Sequence, residues 1–570
     1  MILQPLLDLA ELCVRRGITQ AVISPGSRSA ALTLAFARHP SIETKVIPDE
    51  RAAAYIALGM AQQLNKPVVL ICTSGTAALN FAPAVAEAYF LGVPLLVLTA
   101  DRPPEWIYQQ DGQMIHQDSV YGKHVKESIS LPADYTHSDS LWFIERSVNQ
   151  AIHTAEEDPK GPVHLNVPIR EPFYPKADES YTYGSPKVIL RSRGKTQLPV
   201  ETWEELLQKI ESTDRVLILA GQQVISRELL ETLRQIKEEL GIPVVGEVLS
   251  NLHGNFITHP DFFLASTHTD LLEELQPDLV ISFGDAFVSK NLKLYLRKHK
   301  PKDHYHITSR RELIDPFQTL THQLAVDKEL FFKELLETLD LRAFRNGDDE
   351  IETEYLAHWE KAEQKSLQAI RSNFRLTEAF VEFKAIDEVM AVMPAHSQLH
   401  LANSMSVRYA NFIGHERNIT VFSNRGTSGI DGCLSTAVGA ALTTDQLVFV
   451  LIGDVAFFYD RNALWHPHIP ANLRIVLINN SGGSIFRMIE GPRQQPELET
   501  FFETRHQTSA RNTAQDAGLH YEHVTSYEEL EKALPSFVLE DENAKLLEIS
   551  SNAEMNQNYF DHFKTLMKAL

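Results

Sequence analysis

The strongest constraint in the chain is an alternation of short, mostly apolar runs with helix-length amphipathic stretches. In the first third the runs are AVIS (21–24), KVIP (45–48), PVVLICTS (67–74), PLLVLTA (94–100) and GPVHLNVP (161–168). A strand with one wet face alternates apolar and polar residues, whereas near-continuous apolar runs suit strands covered on both faces. Helical stretches from Arg28, Arg51 and Thr76 supply the covers. The pattern therefore predicts an α/β unit built on a doubly wound parallel sheet.

The same pattern recurs twice. RVLILAGQQ (215–223), GIPVVGEV (241–248), PDLVISFGD (277–285) and HYHIT (304–308) form a second set. QLHLAN (398–403), NITVFSN (418–424), QLVFVLIGD (446–454) and RIVLINN (474–480) form a third. A linker rich in Pro, Tyr, Ser, Lys and Gly lies at 171–200, and the polar stretch RNGDDEIETE (345–354) precedes a helical segment from Tyr355 to Val392. A chain of 570 residues is too long for one core. Three domains are expected, at 1–175, 195–345 and 355–570.

The formal net charge of -22 argues against nucleic-acid or anionic-membrane partners, which need a basic footprint. No apolar run approaches the roughly 18 residues of a membrane span. The start, MILQPLLDLAELCVRRGITQ, reads as an amphipathic helix and not a signal peptide. Cys13, Cys72 and Cys433 lie far apart with no CxxC pair, which suits small buried side chains in a reducing, cytoplasmic compartment.

Chemistry concentrates where apolar runs end. In GDVAFFYD…LINNSGG, two strands flank a helix-like segment, so Asp454 and Asn480 fall at the carboxyl ends of parallel strands, where open α/β sheets bind ligands. A carboxylate, an amide oxygen and a loop carbonyl suit a hard cation such as Mg²⁺. The plainer reading is a helix cap followed by an Asn turn. Glu50 likewise stands between a strand end and a helix, where an acid is favoured by the dipole alone. HPH (466–468) and HYH (304–306) lack partners at zinc-ligand spacing, and no GxxxxGK[ST] occurs.

DER (49–51) with its helix, TSGTAALN (73–80), GPVHLNVP, and GD followed by NNSGG (479–483) together resemble the thiamine-diphosphate-dependent enzymes of the acetolactate synthase and pyruvate decarboxylase architecture. The resemblance spans nearly the whole chain in the family's order of pyrimidine-binding, middle and diphosphate-binding domains. SPGSRS (24–29), ADRPPE (100–105), ANSMSVR (402–408) and SNRGTSGIDG (423–432) are similar to the branch that acts in menaquinone biosynthesis.

The resemblance implies thiamine diphosphate and Mg²⁺, with Mn²⁺ as an alternative. It also implies decarboxylation of 2-oxoglutarate and addition of the succinyl-semialdehyde unit to isochorismate. Glu50 matches the glutamate that hydrogen-bonds N1′ of the aminopyrimidine, and Ile430 the aliphatic prop that keeps the coenzyme bent. Asp454, Asn480 and the Gly482 carbonyl match the metal ligands, with Gly453 beside the diphosphate. Arg28, Arg102, Arg408 and Arg425 match substrate-binding arginines, which suit carboxylates because a planar guanidinium can bind them in bidentate fashion. Ser27, Gln113, Lys290 and Ser404 match polar helpers. A homodimer or homotetramer is implied, with Glu50 of one subunit facing Asp454 of its neighbour.

Three departures stand out. Gly112 occupies a position where the family pattern has Asn, Arg487 stands where a small residue is usual, and SFGDAFVSKN aligns on little beyond FG and Lys290. The rival readings are an acetolactate-synthase-like or 2-oxoacid decarboxylase enzyme, and a catalytically silent binding protein of the same fold. Several arginines argue against substrates with one carboxylate, and Glu50 with its acid–amide pair argues against silence.

Overall fold

All three sets of apolar runs form parallel sheets. The computed structural model describes residues 3–175, 180–192, 194, 196–346, 354–414 and 418–570. The first sheet runs, edge to edge, Glu43–Val46, Gln20–Ile23, Val68–Cys72, Leu95–Asp101, Val163–Pro168 and Glu127–Ser130. The third runs Thr420–Phe422, Gln398–Leu401, Val448–Gly453, Leu473–Asn479, Lys545–Ser550 and His520–Val524. Counted by chain order within each domain, both read 2-1-3-4-6-5. The middle sheet has His322–Leu324, Asp303–Ile307, Leu279–Phe283, Val216–Ala220 and Val244–Val245 in that order.

Both faces of the first sheet are covered. Along Val68–Cys72, Val68, Leu70 and Cys72 enter one apolar cluster while Val69 and Ile71 enter another. This is why the run shows no polar alternation. The first cluster continues into the third domain, joining Tyr55 and Ala57 to Cys433, Leu434 and Val438.

That junction is a close helix crossing. A Cβ on Gly59 of the helix Glu50–Leu64 would lie 2.0 Å from the Thr436 carbonyl oxygen, and one on Gly439 of the helix Cys433–Ala441 would lie 2.0 Å from that of Ile56. Only glycine permits such an approach. The outer domains are thereby packed backbone to backbone.

Among the described residues, four strands have no counterpart in the sequence expectations. Glu127–Ser130, His322–Leu324 and His520–Val524 are sheet edges with exposed or half-buried polar residues, so they carry no apolar run. Lys545–Ser550 is interior, but its pattern is broken by buried Lys545 and Glu548. Lys545 Nζ donates to the Ser536 and Leu539 carbonyls, while Glu548 accepts from Asn479, Ser509 and Tyr521.

The segment expected from Tyr355 to Val392 forms two helices, Glu354–Leu376 and Glu382–Val392. The first spans two domains, placing Tyr355 and Trp359 against Leu217 and Phe263 of the middle domain, and Ile370 and Phe374 in the third. Most of the polar boundary at 345–354 lies outside the described residues, as do 176–179, 193 and 195 of the linker. Among the described residues no helix is long and apolar enough to cross a membrane. Cys13, Cys72 and Cys433 are buried and unpaired.

Candidate active site

The central strands of the third sheet, Gln398–Leu401, Val448–Gly453 and Leu473–Asn479, all end at one cavity of about 390 Å³. Its walls include Ser404, Arg408 and Arg425, together with Ile430, Gly453, Asp454, Asn480 and Gly482. Eight of the residues singled out from sequence are thus gathered in one place.

Asp454 opens the helix Asp454–Tyr459 and is buried. Its Oδ1 accepts from Val455 N at 2.7 Å and its Oδ2 from Gly482 N at 2.8 Å, which fixes the carboxylate across the cavity floor. His506 Nε2 stands 3.4 Å from the same Oδ2. Asn480 Nδ2 donates to Glu382 Oε2 at 2.8 Å and to Ser484 Oγ at 3.0 Å, whereas Asn480 Oδ1 is buried with no partner among the described residues. Such an orphan acceptor costs about 1–3 kcal/mol.

The Gly482 carbonyl accepts from Ser484 N at 2.9 Å, which leaves one of its two lone pairs free. One anionic, one amide and one carbonyl oxygen make a donor set of the kind Mg²⁺ prefers. The residues present therefore fit a metal-held diphosphate. Asn479, by contrast, is fully spent on the scaffold: Nδ2 donates to the Thr508 carbonyl and Glu548, and Oδ1 accepts from Ser481 N.

The cations line the mouth. Ser404 has φ 78° and ψ -129°, a region an L-residue occupies at a cost of about 1–3 kcal/mol and one that clusters at functional sites. Arg425 Nη1 donates to Asn403 Oδ1 at 2.7 Å, while its Nε is buried without a partner among the described residues. Desolvation first and the Arg425 charge second lower the Arg408 guanidinium below its ordinary value, as befits two like charges that share a rim. Glu87, buried on the helix Ala82–Leu91 of the first domain, accepts from Gly426 N at 2.8 Å and Thr427 N at 2.7 Å. Tyr55 Oη donates to Asp431 at 2.8 Å. The first domain thus braces the loop that bears Arg425 and Ile430.

A second group gathers at the carboxyl ends of the first sheet. Arg28 is buried, donates to the Ile169 carbonyl at 3.3 Å and lies 4.6 Å over the Phe173 ring. Burial first, then the nearby Arg102 charge, lowers it. Arg102 donates to the Gly112 carbonyl through Nε (3.0 Å) and Nη2 (2.7 Å) and pairs with Asp111. Ser27 and Gln113 are exposed, the latter with φ 57°. Asp49 caps the helix Glu50–Leu64, accepting from Arg51 N and Ala52 N. The half-buried Glu50 carboxylate makes no hydrogen bond or ion pair among the described residues.

Ser27, Arg28, Glu50, Arg102 and Gln113 are absent from the walls of this cavity. Lys290, exposed at the start of the helix Lys290–Lys298, is also outside them. Arg487 does not reach the cavity either. It is buried against Glu503 at 2.7 Å and reaches Glu499 at 3.2 Å, so it pins the segment that carries Phe502 and Thr504. Gly112 contributes its carbonyl to Arg102 and leaves open space where a side chain would stand. The alternating histidines serve the fold: His304 Nε2 and His306 Nδ1 each bond Ser282 Oγ at 2.8 Å.

Sequence reading did not single out Glu382 or Glu87. Glu382 is 1% exposed, opens the helix Glu382–Val392 and lines the cavity. Burial raises its carboxyl above the usual range, and bonds from Asn480 and Tyr409 pull it back. An acid in the first turn of an amphipathic helix gives no signal beyond dipole preference.

Comparison with known proteins agrees along the chain. A family described as "Thiamine pyrophosphate enzyme, N-terminal TPP binding domain" matches residues 8–120, "Middle domain of thiamine pyrophosphate" matches 187–401, and "Thiamine pyrophosphate enzyme, C-terminal TPP binding domain" matches 403–549. A protein of Cytophaga hutchinsonii named 2-succinyl-5-enolpyruvyl-6-hydroxy-3-cyclohexene-1-carboxylate synthase is 46% identical over 565 residues, covering 99% of this chain and 98% of its own length. Proteins of the same name from Porphyromonas gingivalis and Flavobacterium psychrophilum are 38% and 36% identical. They cover 98% and 97% of this chain, and 96% and 98% of their own lengths.

Proposed function

The chain belongs to the thiamine-pyrophosphate-dependent enzymes, among relatives named 2-succinyl-5-enolpyruvyl-6-hydroxy-3-cyclohexene-1-carboxylate synthase, and on that premise we propose that it forms this product from 2-oxoglutarate and isochorismate in menaquinone biosynthesis. The observation that carries the reading is an unpartnered Asn480 oxygen beside Asp454, beneath a rim that bears Arg408 and Arg425. When bound through Mg²⁺ or Mn²⁺ at Asp454, Asn480 and the Gly482 carbonyl, thiamine diphosphate supplies the electron sink that lets CO₂ leave.

The remaining tasks fall to the protein. Glu50, without a partner of its own, holds or releases a proton at N1′ of the pyrimidine. Ile430 supports the coenzyme from the cavity wall beside Gly453. Arg28 and Arg102, with Ser27 and Gln113, and Arg408 and Arg425, with Ser404 and Lys290, bind the carboxylates of the two substrates. One carbon–carbon bond breaks with loss of CO₂ and one forms to the isochorismate ring, so no oxidant or reductant is consumed.

The absence of Glu50 from the cavity that Asp454 lines supports a homodimer or homotetramer with each active site between subunits. Three unpaired, buried cysteines suit a cytoplasmic setting. The test is a two-substrate assay of purified protein with thiamine diphosphate and Mg²⁺, read by product mass. The expected outcome is CO₂ release from 2-oxoglutarate coupled to isochorismate consumption. Turnover of pyruvate alone would favour the acetolactate-type reading, and neither reaction would overturn the proposal.

A further inference from the structure

An asparagine makes an ambiguous metal ligand. Its amide can rotate half a turn and present NH₂ where the metal needs oxygen, at almost no steric cost. Something must choose the orientation.

Around Asn480 the choice is made by acceptors. Nδ2 has two hydrogens, and both are placed, one on Glu382 Oε2 at 2.8 Å and one on Ser484 Oγ at 3.0 Å. A hydroxyl can accept or donate, so Ser484 alone would tolerate either end of the amide. An ionised carboxylate can only accept. Glu382 is itself held rigidly: Oε2 accepts from Asn556 Nδ2 at 2.9 Å, Oε1 from Tyr409 Oη at 2.9 Å, and its backbone N donates to Asn556 Oδ1 at 3.0 Å. The result is the bare Oδ1 described above.

We propose that Glu382 is the positioning residue of the metal site: it accepts from Asn480 Nδ2 and so commits Oδ1 to the cation. The proposal rests on the reading of Asp454, Asn480 and Gly482 as metal ligands. It assigns Glu382 no contact with metal, coenzyme or substrate. The competing role is purely structural, a tie between the helix Glu382–Val392 and the C-terminal helix Ala553–Lys568 through Asn556.

The test reads Mn²⁺ affinity directly, by electron paramagnetic resonance titration of the full-length protein with thiamine diphosphate present. E382M keeps the volume and removes the acceptor, whereas E382Q keeps an acceptor for Asn480 and can donate its amide to Tyr409 Oη. E382M is expected to weaken Mn²⁺ binding by about 10–100-fold, the usual effect of losing an outer partner of a metal ligand. E382Q is expected to stay within about threefold of native, since it can still accept from Asn480. In an N480A background E382M is expected to add no further loss, because two residues acting through one contact are not additive.

Unchanged affinity in E382M, equal losses in E382Q and E382M, or additive losses with N480A would overturn the proposal. Where E382M does not fold, the near-isosteric N480D carries the test. It sets a second carboxylate against Glu382, and E382Q in that background is expected to raise Mn²⁺ affinity by about tenfold through relief of like charges. No gain there overturns the proposal as well. A native protein that binds no Mn²⁺ sinks the metal-site reading itself, whereas native binding with an indifferent E382M sinks this inference alone.

Discussion

Single residues separate the chemistry from the scaffold. Glu50 has no partner to satisfy among the described residues, so E50Q is expected to leave folding intact and lower turnover by about 10²–10⁴-fold, the usual contribution of a positioned acid or base. Steady-state kinetics beside a circular dichroism spectrum check this. Unchanged turnover would remove Glu50 from the mechanism and revive the silent-binder reading.

His164 illustrates the opposite case. It is buried between Thr99 Oγ1 at 2.7 Å and Ser128 Oγ at 2.9 Å, and burial pushes it down from 6.5 to about 4. Between those values the unfolded chain takes up a proton that the folded chain refuses, so stability falls as pH drops through the window, by at most about 3 kcal/mol for this ring. The urea midpoint is expected to fall between pH 7 and pH 5, and H164Q is expected to narrow that difference. Residues of this kind are hard to read from sequence, because a histidine inside an apolar run looks like an interruption. Glu382 was hidden for a related reason: its partners Tyr409, Asn480 and Asn556 are all distant in the chain.

At the scale of elements, legibility follows burial. Interior strands such as Leu95–Asp101 and Leu473–Asn479 are buried throughout and were plain in the sequence as apolar runs. The polar edge strands Glu127–Ser130, His322–Leu324 and His520–Val524 left no such trace, and Lys545–Ser550 was masked by two charges, Lys545 bonded to nearby carbonyls and Glu548 to residues from distant segments. The helix crossing at Gly59 and Gly439 was equally invisible, since a glycine in an apolar helix is an ordinary small residue until its neighbour is known. G439A is expected to destabilise the fold by about 1–3 kcal/mol or more, because the added methyl meets the Ile56 carbonyl. Denaturant unfolding measures this, and an unchanged midpoint would mean that the helices can separate without loss.

For the molecule as a whole, the two groups of site residues make a sharp prediction about subunits. If each active site takes Glu50 from one subunit and Asp454 from the other, mixing inactive E50Q and D454A proteins after reversible dissociation restores activity. In the mixed dimer one site carries both lesions and the other carries none, so random pairing regenerates about a quarter of the native sites. Activity measured before and after mixing decides the matter. No recovery would place both groups in one chain's site. The domain-sized repetition was legible in the apolar runs alone, whereas the split of Glu50 and Asp454 between subunits came only from the family resemblance, because chain order says nothing about which faces are opposed.

The shared strand order 2-1-3-4-6-5 has a further meaning for how such a site can change. In the first domain Ser27 and Arg28 follow strand one, and the Thr73–Gly75 turn follows strand three. In the third domain Ser404 follows strand one and Asp454 follows strand three. The two faces are the same topological address occupied by different side chains. One is furnished with Arg28, Arg102 and Glu50, the other with Asp454, the Asn480 amide, Arg408 and Arg425. A substitution at either address alters one face and leaves the other untouched. Because arginines stand on both faces, a chain built this way changes what it binds through edits at two addresses that lie in separate domains.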